Sequence, residues 1–251
     1  MFKTACKIAL CAAALAATLG FSTGSQAAGK TIRVGTEPTF APFEFLDKKA
    51  EPVGYDIDII NAIGKAEGVE VVVVKMPFDG LIPAMLTSQI DAAISGMTIT
   101  EERKKKVDFS DPYYDSGLSA VILSSNKDKF KKLDDLKNST ICGQIGNTGI
   151  DYAKKLSGKV TAFNTHPEAY MELKNHGCDA VMTDKPVNEY FLSQQDGTTY
   201  SEINDFAEAA QFGIAVKKGS DVLALVNNGL KKIKADGTYD KIHAKWFKGA
   251  E

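Results

Sequence analysis

The residues best suited to hold a charged small molecule lie in the stretch Ala93-Ile94-Ser95-Gly96-Met97-Thr98-Ile99-Thr100-Glu101-Glu102-Arg103. A short apolar run breaks at Gly96, passes Thr98 and Thr100, and enters a helix with Arg103 in its first turn. Free backbone N–H groups, hydroxyls and a guanidinium then converge, which is the donor set a carboxylate needs. Arg103 can grip a carboxylate through two parallel hydrogen bonds, aided by the partial positive charge of a helix start. The alternative is a surface arginine beside Glu102. Thr98 and Thr100 are either donors to a bound molecule or helix caps. Asp184 closes the run Ala180-Val181-Met182-Thr183 and suits an ammonium group, or else caps the helix that starts at Lys185-Pro186. Gly146-Asn147-Thr148-Gly149 marks another strand-to-helix turn. It lacks the Gly-Lys-Ser/Thr ending of a phosphate loop, but Thr148 offers a hydroxyl. Phe40, Phe43 and Phe78 are candidates to stack on a ligand, with Phe40 foremost because it stands between Pro38 and Pro42.

Catalytic patterns are poor. The histidines are His166, His176 and His243, and none adjoins a nucleophile motif. There is no Gly-x-Ser-x-Gly, no His-Glu-x-x-His and no Cys/His spacing of a metal site. Neither a cofactor nor a metal is expected.

The elements that must position these residues alternate strand and helix. Thr31 to Val34 is a strand that stops at Gly35-Thr36-Glu37. Ile59, Ile60, Ile63 and Ala66 fall at helical spacing. Val69 to Lys75 is valine-dense and reads as a buried parallel strand. Leu81 to Leu86 is a helix and Asp91 to Ile94 a strand, which completes a βαβαβ unit. Val107 to Tyr114 carries too much Pro and Asp to continue the sheet, and Leu118 to Leu123 is the next strand. A second unit repeats the alternation: strand 140–144, helix 147–156, strand 160–163, helix 167–175, strand 179–182, helix 186–194. Gln211 to Val216 is a strand able to return to the first unit, and two helices close the chain. The expected fold is therefore α/β and two-lobed, each lobe a mostly parallel sheet flanked by helices, joined by a two-strand hinge. The expected boundaries are 28–117 with 215–251 for lobe 1 and 118–214 for lobe 2. Glu37, Gly96, Thr98, Gln144 and Asp184 all fall just past strand C-termini, where such sheets bind ligands.

The first 27 residues read as a cleaved secretory signal. Lys3 and Lys7 precede an apolar, alanine-rich run over Ile8 to Leu19, and Ser25-Gln26-Ala27 supplies small residues for cleavage. The apolar run is too short to span a bilayer. Cys6 and Cys11 fall within it, without the spacing of a lipidated cysteine. Cleavage loses two lysines and no acid, taking the formal charge from −2 to −4. A mildly acidic chain gives no support for binding nucleic acid or an anionic membrane. Cys142 and Cys178 remain, either as a disulfide or as two buried thiols.

Six further motifs fall in order: Gly35-Thr36-Glu37 to Pro42-Phe43-Glu44-Phe45, Val53-Gly54-Tyr55-Asp56-Ile57-Asp58, Phe78-Asp79-Gly80-Leu81-Ile82-Pro83-Ala84, Gly96 to Arg103, Asp108-Phe109-Ser110, and Ala235-Asp236-Gly237-Thr238-Tyr239. On these the chain, from Lys30 to Gly249, resembles the periplasmic solute-binding proteins of polar amino-acid ABC transporters. Asp151-Tyr152-Ala153-Lys154, Ala169 to Leu173 and Gln211 to Ala215 make it most similar to glutamine-binding members.

The resemblance implies two lobes closing on a free L-amino acid, delivered to the membrane permease of an ABC importer. It implies that Arg103, Thr98 and Thr148 take the α-carboxylate. Asp184, with the Gly96 carbonyl, would take the ammonium. Phe40 and Phe78 would sandwich the side chain, and Glu37 would meet its polar end. Glu37 stands where a shorter aspartate is usual, and Gln144 and Thr183 stand where glutamine binders more often carry lysine and histidine. Glutamine is the favoured ligand on this likeness, with arginine or lysine as the alternative. An enzyme on the same scaffold, such as a dehydratase, would have only Glu37 for proton transfer, and a sensor that signals to a membrane receptor is the third reading. The protein is expected in the periplasm as a monomer.

Overall fold

A computed structural model describes residues 30–247; the expected leader, with Cys6 and Cys11, lies outside the described residues. The chain begins with β1 (Thr31–Thr36), in which Ile32 and Val34 are buried. A small antiparallel sheet follows, made of β2 (Thr39–Phe40), β3 (Glu44–Leu46) and β4 (Pro52–Val53). Helix α1 (Tyr55–Glu67) then buries Ile59, Ile60 and Ile63 on one face and stops at Gly68, whose left-handed φ of 66° closes the last turn. Each such fully buried side chain stabilises the fold by roughly 1.5–3 kcal/mol.

β5 (Glu70–Lys75), α2 (Leu81–Leu86), β6 (Ala92–Ala93), α3 (Glu101–Lys104) and β7 (Val107–Phe109) lead to β8 (Tyr114–Leu123). The second unit runs β9 (Ile141–Gln144), α4 (Thr148–Leu156), β10 (Val160–Phe163), α5 (His166–Lys174), β11 (Ala180–Asp184), α6 (Lys185–Ser193), β12 (Tyr200–Glu202) and β13 (Ala207–Phe212). β14 (Ala215–Lys217), α7 (Val222–Ala235) and α8 (Thr238–Trp246) complete the chain.

Two main sheets result. The first has the order β5-β1-β6-β14-β7 and the second β10-β9-β11-β8-β12, with β13 also paired to β8. In the first sheet β5, β1 and β6 run parallel, as consecutive βαβ crossovers require; β14 pairs antiparallel to β6, and β7, antiparallel to β14, runs in the same direction as the first three. Its apolar residues pack with α1 and α7 in one cluster and with α2 in another, so helices cover both faces.

Three expectations need correction. Val69 to Lys75 forms a parallel strand, but β5 is the edge of its sheet, and Val72 is 40% exposed. Val107–Phe109 does join the sheet: β7 pairs with β14 at the opposite edge, and Ser110 then turns the chain away by bonding Asp111 O and Ile214 N. The single strand expected over 211–216 is two. β13 ends at Phe212 in the second sheet, the chain turns at Gly213-Ile214, and β14 begins in the first. The chain thus passes between the sheets along two adjacent antiparallel segments, with Tyr114 opposite Phe212 and Phe109 opposite Ala215.

Cys142 and Cys178 are bridged, with Cα atoms 6.1 Å apart. The bond ties β9 to the turn before β11 inside an apolar cluster with Tyr170 and Leu173. The closed loop spans 36 residues. Chain-entropy reasoning assigns such a loop roughly 4 kcal/mol. The double variant Cys142→Ser/Cys178→Ser is therefore expected to lose roughly 4 kcal/mol in a denaturant titration, with the second sheet's signals lost first.

Candidate ligand site between the lobes

The residues assigned to the site by sequence lie at strand ends, in the loops that follow them, or in the first turns of helices, Arg103 on α3 and Thr148 at the start of α4. Gly96 follows β6 with φ of 50°, a conformation that suits glycine. A Cβ at this position would lie 2.2 Å from the Phe40 ring, so the turn and the ring are fitted to one another. The turn is held on two sides. The Gly96 N–H donates to Asp56 Oδ2 at 2.8 Å. On the other side Ile99 N donates to Gln211 O at 2.8 Å, Gly213 N donates to Met97 O at 3.1 Å, and Thr98 bridges to Phe212. The candidate binding turn and the hinge strand are therefore one hydrogen-bonded unit.

Helix α3 is a single turn capped by Thr100, whose Oγ1 accepts from Arg103 N at 3.2 Å. So short a helix contributes little dipole, and the pull on an anion comes from the guanidinium itself. Arg103 is not a surface residue paired with Glu102. Its Nη1 donates to Thr98 O at 2.7 Å and its Nη2 to Gly146 O of the second lobe at 2.9 Å, while its guanidinium lies 5.4 Å from the centre of the Phe78 ring. Glu102 pairs with Lys105 instead. Burial lowers Arg103 to about 10, with Asp184 and Asp151 opposing that shift, so it stays a cation at neutral pH.

Asp184 occupies the residue before α6 but does not cap it. Its carboxylate accepts from Ser116 Oγ at 3.1 Å and from Asn147 Nδ2 at 3.5 Å. It is fully buried, and burial raises it to about 6 against those bonds and the Arg103 charge. Thr148 opens α4, capped by Asn147, and its hydroxyl lies 3.4 Å from that of Thr98 across the cleft.

Glu37, 5% exposed, accepts from Thr39 Oγ1 and from Gln144 Nε2, each at 2.8 Å. Gln144 reaches it from the end of β9 and also donates to Asn164 O at 3.0 Å. Burial raises Glu37 above the usual carboxylate range, and these bonds hold it down. Thr183 bonds His166 Nε2 at 2.8 Å, and the imidazole sits 4.9 Å from the Phe40 ring. Burial drives His166 down to about 3, so it is neutral. Phe40 and Phe78 belong to separate apolar clusters, each on the first-lobe side.

The sequence reading missed Ser116 and Asn147, which aim Asp184, and His166, which joins Thr183 to Phe40. Nothing in sequence marks a serine in the middle of a strand as an acceptor's partner. His166 did carry a signal, since a histidine at a helix start after a strand end faces the same cleft as Asp184.

The family and the fold have known relatives. The chain belongs to the bacterial extracellular solute-binding proteins, family 3, which match residues 32–249. It is 37% identical to the ABC transporter arginine-binding protein 1 of Escherichia coli (strain K12), over 93% of this chain and 97% of that one. It is 36% identical to a probable histidine-binding protein of Neisseria gonorrhoeae, over 95% and 93%. Two solved structures of an ancestral arginine-binding protein are 44% identical to it. One, bound to glutamine, has a TM-score of 0.82 and covers 86% of this chain and 97% of its own; the other, bound to arginine, has a TM-score of 0.83 and covers 86% and 98%.

The fit at Gly96 is directly testable. Gly96→Ala forces a methyl into the Phe40 ring at a positive φ, whereas Gly80→Ala meets open space. Gly96→Ala is expected to cost roughly 1–3 kcal/mol in thermal or denaturant unfolding, with Gly80→Ala near neutral.

Proposed function

We propose that the protein captures a basic L-amino acid, L-arginine foremost, between its two lobes and delivers it to the permease of an ABC importer. One observation carries the choice of ligand. Among the described residues the candidate site holds two buried carboxylates, Glu37 and Asp184, and one guanidinium, Arg103, whose charge reaches Asp184. Among the described residues no Lys, Arg or His pairs with Glu37; its partners are a hydroxyl and an amide. An amino acid with a cationic side chain leaves the site neutral. Its carboxylate meets Arg103, its ammonium Asp184, and its side-chain cation Glu37. A neutral side chain leaves one buried carboxylate without a counter-charge, which is costly.

The relatives named for arginine and histidine support this reading. Glutamine is the second reading, because an ancestral arginine-binding relative also holds glutamine. In this role Arg103, Thr98 and Thr148 hold the carboxylate, Gly96 O helps Asp184 hold the ammonium, and Phe40 and Phe78 flank the side chain. Gln144 and Thr183 set the geometry around Glu37 and Phe40. The receptor acts in the periplasm as a monomer, with residues 28–117 and 215–251 as one lobe and 118–214 as the other. We read it as a receptor that performs no chemistry on its ligand, as the relatives named for binding support.

A thermal-shift screen of the twenty amino acids, followed by calorimetry, tests the assignment. A ligand at a hundredfold excess over its dissociation constant stabilises by about 2.7 kcal/mol. L-Arginine is expected to give the largest shift, and Glu37→Gln to move the preference toward glutamine while Arg103→Ala abolishes binding of both. A wild-type protein that prefers glutamine to arginine contradicts the assignment, as does Glu37→Gln weakening all ligands equally.

A further inference from the structure

Behind the candidate binding turn lies a second pair of acids that the ligand does not explain. Glu44 in β3 and Asp56 at the start of α1 are both fully buried. Glu44 Oε1 accepts from Ser95 Oγ at 2.8 Å. Asp56 Oδ2 accepts from Gly96 N and from the Tyr113 hydroxyl, each at 2.8 Å. The remaining oxygens, Glu44 Oε2 and Asp56 Oδ1, have no N–H or O–H partner. The two carboxyl groups are hydrogen-bonding neighbours of one another. Among the described residues no ion pair reaches either, and the titratable groups that face them are Glu37, Tyr55 and Tyr113, none of which supplies positive charge.

Two dry carboxylates side by side cannot both be ionised, but one proton between them satisfies both orphaned oxygens. We propose that Glu44 and Asp56 share a single proton, carried on Glu44, and that the pair positions Gly96 and Glu37 for ligand binding. Asp56 is the anion because it accepts two donors where Glu44 accepts one. The proton on Glu44 then gives Asp56 a third. Ser95 extends the chain, since its Oγ accepts from Glu37 N at 3.0 Å while donating to Glu44. The network thereby fixes the backbone at both ends of the first-lobe site. Burial agrees in direction, raising Glu44 well above its usual range and Asp56 to about 6.

The sign of the pH effect follows. The folded protein keeps a proton that unfolded Glu44 loses above about 4.3. Raising the pH therefore favours the unfolded chain, by up to about tenfold in the unfolding constant per unit, until the pair itself ionises. Glu44→Gln replaces the shared proton with an amide N–H and removes this dependence, whereas Tyr113 and the surface groups remain in both proteins.

The test uses wild type, Glu44→Gln and Glu44→Ala, with Ser95→Ala taking the place of Glu44→Ala if that variant does not fold. At pH 7 the infrared difference spectrum of ligand-free wild type minus Glu44→Gln is expected to show the carbonyl stretch of a protonated carboxyl group. From pH 5 to 8 the ratio of wild-type to Glu44→Gln unfolding constants is expected to rise. With L-arginine as the probe, Glu44→Gln should bind within about threefold of wild type, and Glu44→Ala or Ser95→Ala more than about tenfold weaker. The proposal is overturned by an absent carbonyl band, by parallel stability profiles, or by Glu44→Gln losing as much affinity as the disruptive variant. The binding arm rests on the arginine reading. The infrared and stability arms need no ligand, so failure of L-arginine to bind wild type refutes that reading and leaves this one to be decided by them.

Discussion

The cleft depends on an imbalance of charge. Glu37 and Asp184 are both buried, Asp184 alone feels the Arg103 guanidinium, and each acid is held by hydroxyl and amide donors rather than by a bonded cation. Hydrogen bonds soften the cost of such burial without removing it. The same donors give the acids fixed directions. Ser116 and Asn147 aim Asp184, while Thr39 and Gln144 aim Glu37. A molecule carrying one carboxylate and two cationic groups at matching places converts that imbalance into affinity. On the proposed reading, specificity comes from the penalty imposed on molecules that lack the second cation.

Closure is built on the same residues. The turn from Met97 to Ile99 is hydrogen-bonded to the strand that passes between the sheets at Gln211 to Gly213. Arg103 bonds Gly146 O, Gln144 bonds Glu37, and His166 packs on Phe40, all across the cleft. Residues proposed to touch the solute thus also join the lobes. A solute shifts the balance of open and closed forms only by its better fit to the closed one. Here the fit consists of these cross-cleft contacts together with the neutralised acids.

Much of this was legible in the sequence, and the rest failed for identifiable reasons. The βαβ alternation showed because buried strands and amphipathic helices leave different periods, and Gly96 and Arg103 showed because a break and a cation stand out. The edge position of β5 was hidden, because a run of valines reads the same in the centre of a sheet and at its rim. The division of 211–216 was hidden because Gly213 breaks the ladder by changing partners, which no local pattern records. At Arg103 and Asp184, where local reading left two roles open, packing removed one of them. Arg103 turns inward and leaves Lys105 to Glu102, and Asp184 turns away from the helix it precedes. Ser116, Asn147 and His166 were missed because a positioning residue is defined by what it faces across the fold.

Proton linkage tests the charge account most directly. Calorimetric titrations with L-arginine and with L-glutamine, repeated at one pH in buffers of different ionisation enthalpy, give the number of protons taken up on binding. If Glu37 requires a counter-cation, arginine binds without net uptake and glutamine binds with uptake of about one proton, because the unpaired acid must be neutralised. Equal proton uptake with the two ligands, or uptake with arginine alone, would contradict it.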